Sequence, residues 1–419
     1  MPEFFTLDDF DFKNKVVLVR VDINSPVEKG KITDDSRIRE CTKTLKELSD
    51  RKAKVIVLAH QGRVGKSDFI ALEEHAQIMT EILGKEVRYV DDLFGSRALS
   101  AIEELKDGEI IILENTRFYS EEISYDNMPI EAMAKTHLVK NLSSKADYFV
   151  NDAFAASHRA QPSLVGFTEV LPSVAGRVME NEIEMLSKAL RADKPCIAVL
   201  GGAKVDDSIE VASNMLRAKI ADRILTTGLV ANLFLQAKGY ELGNKNIEIL
   251  KKELKDYDEF LVRAQDLLKT FESEIEMPND LAVNDNGKRL EFVISELPTE
   301  NPIQDIGRGT IERYSYFIKS AKTIIANGPA GVFENDNFAL GTNELFKAIA
   351  NTRAYKVFGG GHTNEVIEKL GLKTKIDHLS TGGGACVNFL AGKKMPVIDA
   401  LKKSKQKYSN YFLAESTRK

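Results

Sequence analysis

A chain of 419 residues suggests two or three domains, two before three, and 43% hydrophobic with 29% charged residues supports an ordinary buried core. The net charge of −5 gives no support for general binding to nucleic acid or to a membrane surface. Cys41, Cys196 and Cys386 lie far apart in apolar or helical contexts, which points away from a disulfide framework or a cysteine metal site.

No signal-like segment precedes the first apolar run, and no stretch of about 18 apolar residues occurs; a cytoplasmic protein is expected. Lys15 to Ile23 reads as a first buried strand, ending in a turn at Asp22-Ile-Asn24. Thr33 to Ser36 offers caps for a helix to about Leu48. Arg37 falls in its first turn, where a cation opposes the macrodipole by a few tenths of a kcal/mol. The beat repeats with strands at Lys54–Ala59, Val87–Val90, Glu109–Leu113 and Ala146–Val150. Helices are predicted near 71–83, 95–105 and 129–142. Alternating strands and helices predict a parallel sheet with helices on both faces.

Asp22, Asn24, His60, Arg63, Arg117, His158 and Arg159 all follow the carboxyl ends of strands, the edge where open α/β sheets bind ligands. Arginines gathered there suit an anion carrying phosphate and carboxylate, because guanidinium pairs with each through two parallel hydrogen bonds. The histidines could donate to the same anion. A lone arginine is more often a solvated surface group, and a lone histidine a satisfied structural one; the gathering is the signal.

Leu171-Pro172 marks a break, and Val174 to Leu190 reads as one amphipathic connecting helix. The second half opens on a strand over 196–200, then Gly201-Gly-Ala-Lys204, then a helix from Asp206 to Ile220. Strand, glycine turn, helix N-terminus and lysine form a phosphate-site pattern, although neither G-x-x-x-x-G-K-[ST] nor G-x-G-x-x-G is present. A strand over 223–227 and a helix to 238 follow. Residues 246–275 are helical in pattern, 280–284 a short strand, and the stretch beyond it a polar connection. A helix over 308–320, a strand over 322–326 and a helix over 343–350 come next. Gly359-Gly-Gly-His-Thr363 and Thr381-Gly-Gly-Gly384 each end a strand and precede a helix. With Gly201-Gly202, these turns predict exposed backbone N–H groups for a polyphosphate.

The motifs in this order resemble phosphoglycerate kinases, over nearly the whole chain. Arg20-Val-Asp-Ile-Asn24, His60-Gln-Gly-Arg63, Glu114-Asn-Thr-Arg117, Asn151-Asp-Ala-Phe154 with His158-Arg159, Gly201-Gly-Ala-Lys-Val205, Asn327-Gly-Pro-Ala-Gly-Val-Phe-Glu334 and Ser380-Thr-Gly-Gly-Gly-Ala385 carry it. The resemblance implies two doubly wound parallel-sheet domains joined by a helix and hinge. The expected parts are an N-terminal phosphoglycerate domain (1–172), a hinge helix (173–192), a nucleotide domain (193–394) and a returning segment (395–419). It also implies reversible transfer of the acyl phosphate of 1,3-bisphosphoglycerate to ADP, giving 3-phosphoglycerate and ATP, by a cytoplasmic monomer.

Carried over, Asp22 and Asn24 would hold the glycerate, and Arg37, His60, Gln61, Gly62, Arg63, Arg117, His158 and Arg159 the basic pocket around it. Arg37, Lys204, Gly383 and Gly384 would face the transferring phosphoryl group. Gly201, Lys204, Glu334, Gly359, Gly360, Gly361, His362 and Thr363 would hold the nucleotide, with Mg²⁺ carried on its phosphates. Two departures stand out: Ser208 replaces a usual lysine, and His362 a usual aspartate that helps hold Mg²⁺. Both match an archaeal-type branch. A nicotinamide-dependent oxidoreductase is the competing enzyme class, disfavoured by the missing glycine fingerprint; a non-catalytic anion-binding protein is the third reading.

Overall fold

The computed structural model describes residues 3–416, with side chains through residue 409. The chain divides into two compact units, residues 1–183 with 394–419, and residues 184–393.

The first unit is built on a seven-stranded sheet. Its strands are β1 (Phe5–Thr6), β2 (Val16–Arg20), β3 (Lys54–Leu58), β4 (Val87–Val90), β5 (Ile110–Leu113), β6 (Tyr148–Asn151) and β7 (Ser173–Ala175), in the spatial order β1-β7-β6-β2-β3-β5-β4, all pairs parallel. The central strands are apolar runs because both faces are covered: Val17, Leu18, Val19, Val55, Ile56 and Val57 have no exposure. Each such side chain contributes about 1.5–3 kcal/mol by leaving water. One covering helix is α1 (Ser36–Asp50), whose Ile38, Cys41, Leu45 and Leu48 recur at three- and four-residue spacing and lie in the core. Register sets Arg20 level with Leu58 and Asn151, so the loops after these strands open at one edge. The chain runs from β2 to β3 on one side and later returns to β6 on the other, which makes β2 the switch point.

The second unit has a six-stranded parallel sheet and a smaller antiparallel one. Strands β8 (Cys196–Leu200), β9 (Arg223–Thr226), β10 (Ile275–Glu276), β14 (Thr323–Asn327), β15 (Tyr355–Gly359) and β16 (His378–Leu379) take the order β10-β9-β8-β14-β15-β16. Leu200 is level with both Thr226 and Asn327. Between β10 and β14 the chain forms a three-stranded antiparallel sheet of β11 (Asp280–Asp285), β12 (Lys288–Val293) and β13 (Ile303–Ile306), with β11 in the middle.

The expected α/β class with parallel sheets holds; several elements differ. The helix predicted over 129–142 is two short ones, Ile130–Met133 and His137–Ser143, parted where Thr136 is extended and its hydroxyl bonds the Met133 carbonyl. The connecting helix starts late. Residues 173–175 are sheet, and α2 (Arg177–Leu190) begins where the Asp152 carboxylate accepts the N–H groups of Val178 and Met179. The pattern over 246–275 breaks into Asn244–Glu253 and Tyr257–Phe271 because Leu254 turns its buried side chain inward from an extended backbone. The polar connection after 284 is a hairpin and a third strand. Asn286 and Gly287 both take positive φ, the two-residue turn that strand twist favours, and this Asn-Gly pair is the sequence signal for the hairpin. No helix among the described residues is long and apolar enough to cross a membrane.

Candidate functional site

In the first unit the switch-point loops gather an unbalanced set of charges. Arg37, in the first turn of α1, donates from Nη1 to Asp22 Oδ1 at 3.1 Å, and its side chain stays one-third exposed. The same oxygen accepts the Asn24 N–H at 3.1 Å. Burial works against ionisation of Asp22, but the facing His60 ring, the Arg37 and Arg20 guanidinium groups and the Asn24 N–H outweigh it and hold the carboxyl at about 2. Arg117 bonds the Gly62 carbonyl. Its pKa falls to about 10, first because it is buried and then because Arg159 and Arg20 stand near it. Such crowding raises the energy of the empty site, and an anion relieves it.

Arg159 donates from Nε to His158 Nε2 at 3.3 Å, so His158 orients Arg159. Burial and the Arg159 charge keep His158 below its usual pKa. His60 is buried and also held well below its usual pKa, by burial first, with Arg20, Arg117 and Arg159 acting the same way against Asp22. Arg63 is exposed in the loop after β3.

Two predicted ligands in this loop serve the protein instead. Gln61 is fully buried; its amide oxygen accepts from Ser25 N–H and faces His75 Nε2, and its amide nitrogen donates to Ser25 and Asp68 carbonyls. The side chain therefore staples loops together and has no group left for a substrate. Gly62 takes φ +69°, its N–H bonds Asn24 Oδ1 at 2.7 Å, and a Cβ there would overlap the Asp68 carbonyl. Sequence reading also missed Arg20, Glu122 and Ser163, all buried around His60. A charged residue ending an otherwise apolar strand was the available signal for Arg20.

In the second unit three strand ends interlock. Gly201 N–H bonds the Asn327 carbonyl at 2.9 Å, Gly202 N–H the Pro329 carbonyl at 2.8 Å, and Gly228 N–H the Ala330 carbonyl at 3.0 Å. A Cβ on Gly201 would overlap Thr227 Oγ1 and the Pro329 carbonyl. The amides of Gly201 and Gly202 are thus committed to the fold and do not form the exposed phosphate cradle expected of them. Donors remain further on. Lys204 is exposed at the N-terminal boundary of α3 (Val205–Arg217), and α6 (Gly361–Lys369) opens at Gly361 and His362 (α4 is Gly228–Lys238 and α5 Arg308–Ser320). The first N–H groups of a helix lack partners within it. Thr363 is buried, and its hydroxyl accepts the Gly328 N–H at 3.0 Å. Gly360 takes φ +98°, Gly359 ends β15, and Gly383 (φ +51°) and Gly384 open the seven-residue helix α7 (Gly384–Leu390).

Ser208 has no exposure and its hydroxyl lacks a partner, because it lies on the core face of α3 with Val205, Ala212 and Leu216. A lysine ammonium at that position is not simply missing from an open phosphate site; this backbone encloses the position.

Beside the interlock lies a largely apolar cavity of about 360 Å³. Its walls include Gly202, Leu229, Leu281, Ile303, Pro329 and Val332, with Glu334 and His362 at exposed positions. The antiparallel sheet, unforeseen from sequence, supplies one wall. His362 packs against Phe333, ring centroids 5.7 Å apart. Mg²⁺ requires oxygen ligands. Residues 359–363 offer an imidazole and one engaged hydroxyl, and among the described residues no group of three or more His, Cys, Asp or Glu side chains is placed to hold a metal. Residues 359–363 thus bring no carboxylate to a cation.

The phosphoglycerate kinase family pattern matches residues 7–393. The phosphoglycerate kinase of Methanothermus fervidus is 49% identical over 98% of this chain and all of its own length. That of Pyrococcus abyssi is 49% identical over 96% of this chain and 98% of its own. The crystal structure of phosphoglycerate kinase from Pyrococcus horikoshii OT3 superposes with a TM-score of 0.89 at 47% identity, covering 96% of this chain and 100% of that one.

Proposed function

The chain belongs to the phosphoglycerate kinase family, and we propose how its two units divide that reaction. The enzyme is a phosphotransferase with a carboxyl group as acceptor, acting in glycolysis. In the proposed division the first unit holds 3-phosphoglycerate or 1,3-bisphosphoglycerate, and the second holds ADP or ATP. The observation that carries this is the gathering of four guanidinium groups, Arg20, Arg37, Arg117 and Arg159, around two carboxylates, Asp22 and Glu122, in the first unit, opposite in character to the apolar cavity of the second unit.

Arg117 and Arg159 take the anionic ends of the glycerate, and His60 donates from Nε2. Asp22 accepts the substrate hydroxyl, while the Asn24 amide nitrogen, whose oxygen is occupied by Gly62, donates. Arg63 closes the site from its exposed loop. Arg37 faces the transferring phosphoryl group. In the second unit the base enters the cavity, Glu334 takes the ribose, and Lys204 with the amides of Gly361 to Thr363 takes the phosphates. Gly383 and Gly384 meet the phosphoryl group. Mg²⁺ bound to the nucleotide neutralises phosphate charge. No general base is needed, since the attacking carboxylate is already an anion, and the protein's task is placement and charge stabilisation.

Arg117→Ala tests the division: KM for 3-phosphoglycerate is expected to rise about 10–100-fold, the loss of a charge-assisted bidentate contact, with KM for MgATP unchanged. A rise in both constants contradicts it.

A further inference from the structure

A chain of buried polar groups leads from Glu122 to His60, and only its last member faces the proposed substrate. Arg20 ends β2 with no exposure. Its Nε donates to Ser163 Oγ at 2.9 Å, its Nη2 meets His60 Nδ1 at 3.0 Å, and its Nη1 reaches the Val21 carbonyl. Ser163, also without exposure, donates its hydroxyl to Glu122 Oε1 and its N–H to Glu122 Oε2 at 2.9 Å. Glu122 is 1% exposed. No member of the chain other than His60 is placed to touch a ligand.

The polarity of the chain follows from which groups can accept. A guanidinium has five N–H donors, no acceptor, and does not lose its proton in a protein. His60 Nδ1, facing Arg20 Nη2, must therefore accept, which puts the ring proton on Nε2. An imidazolium would set an N–H against an N–H. Glu122 balances the Arg20 charge through the Ser163 hydroxyl, so the guanidinium is fixed in direction as well as in charge.

We propose that Ser163 and Glu122 are positioning residues, which aim Arg20 so that His60 is locked as the neutral Nε2–H tautomer and presents a single fixed donor to the phosphoglycerate. The inference rests on the reading that His60 contacts that substrate. It separates His60 from a role as proton carrier: with Nδ1 closed by a permanent donor, the ring can orient an anion but cannot shuttle a proton.

Nitrogen-15 NMR of the histidine-labelled enzyme, with the His60 signal assigned from its loss in His60→Ala, reads the tautomer in the unsubstituted protein. His60 is expected to show one protonated nitrogen, Nε2, through pH 6–8. A ring protonated at Nδ1, or on both nitrogens, overturns the proposal. Ser163→Ala is then expected to give mixed tautomers and about a tenfold higher KM for 3-phosphoglycerate, the effect of one lost hydrogen bond, with KM for MgATP unchanged. Glu122→Gln is expected to move both readouts in the same direction. If Ser163→Ala leaves tautomer and KM as they were while His60→Ala raises KM, the positioning role falls and the substrate reading stands. If His60→Ala leaves KM unchanged, both fall.

Discussion

Arg37→Ala is expected to lower kcat by about 10³-fold, the scale of an arginine that stabilises a transferring phosphoryl group, while the dissociation constant for MgADP stays within about twofold. The residue sits where the fold gives it little reason to be. A cation in the first turn of α1 opposes the helix dipole, and the partner that holds it, Asp22, comes from the neighbouring strand end. The contact uses Nη1, and a third of the side chain remains exposed, so donors stay open to a ligand. Charge spreads over the equatorial oxygens as the phosphoryl group leaves carboxylate or phosphate, and a fixed guanidinium meets that charge without reorganising. Steady-state kinetics with calorimetric titration of the nucleotide separates the effects. Equal loss of turnover and nucleotide affinity contradicts the assignment of Arg37 to the phosphoglycerate unit.

The second large effect is structural. Gly201→Ala is expected to destabilise the second unit by about 3 kcal/mol, the upper range for overpacking, and to lower its melting temperature by about 6–12 °C. The added methyl must enter the crossing of β8, β9 and β14, where Thr227 Oγ1 and the Pro329 carbonyl already occupy the space. Both neighbours are pinned, Pro329 by Gly202 N–H and Thr227 by Leu200. Gly202, Gly228, Pro329 and Ala330 also line the cavity, so nucleotide affinity is expected to fall with stability, while 3-phosphoglycerate binding persists. Calorimetry of both ligands on the variant checks this; unchanged nucleotide affinity removes the interlock from the binding site.

How much of this was legible in the sequence depended on distance along the chain. Strand ends were readable because the apolar runs over 16–20, 54–58 and 196–200 give way within two residues to glycine or polar residues, and the helix Arg308–Ser320 because its periodicity is uninterrupted. The burial of Ser208 was readable in principle, since it shares a helical face with Ala212 and Leu216. Its polarity and the expectation of a lysine there drew attention from its position. The state of the Gly201 and Gly202 amides was not readable, because their acceptors, Asn327 and Pro329, arrive from a strand far along the chain. The same holds for Arg20, Ser163 and Glu122, which three separate segments bring together. Local pattern tells what a loop can offer; only the tertiary fold tells which of its groups are already taken.

The central claim is that a basic site in one unit and a nucleotide site in the other together phosphorylate a carboxylate without a protein base. The most direct test supplies 3-phosphoglycerate and MgATP to the purified protein and follows NADH oxidation through glyceraldehyde-phosphate dehydrogenase. The account predicts turnover that requires both substrates and disappears when either is withheld. Binding of both ligands without turnover would contradict it and leave an anion- and nucleotide-binding protein.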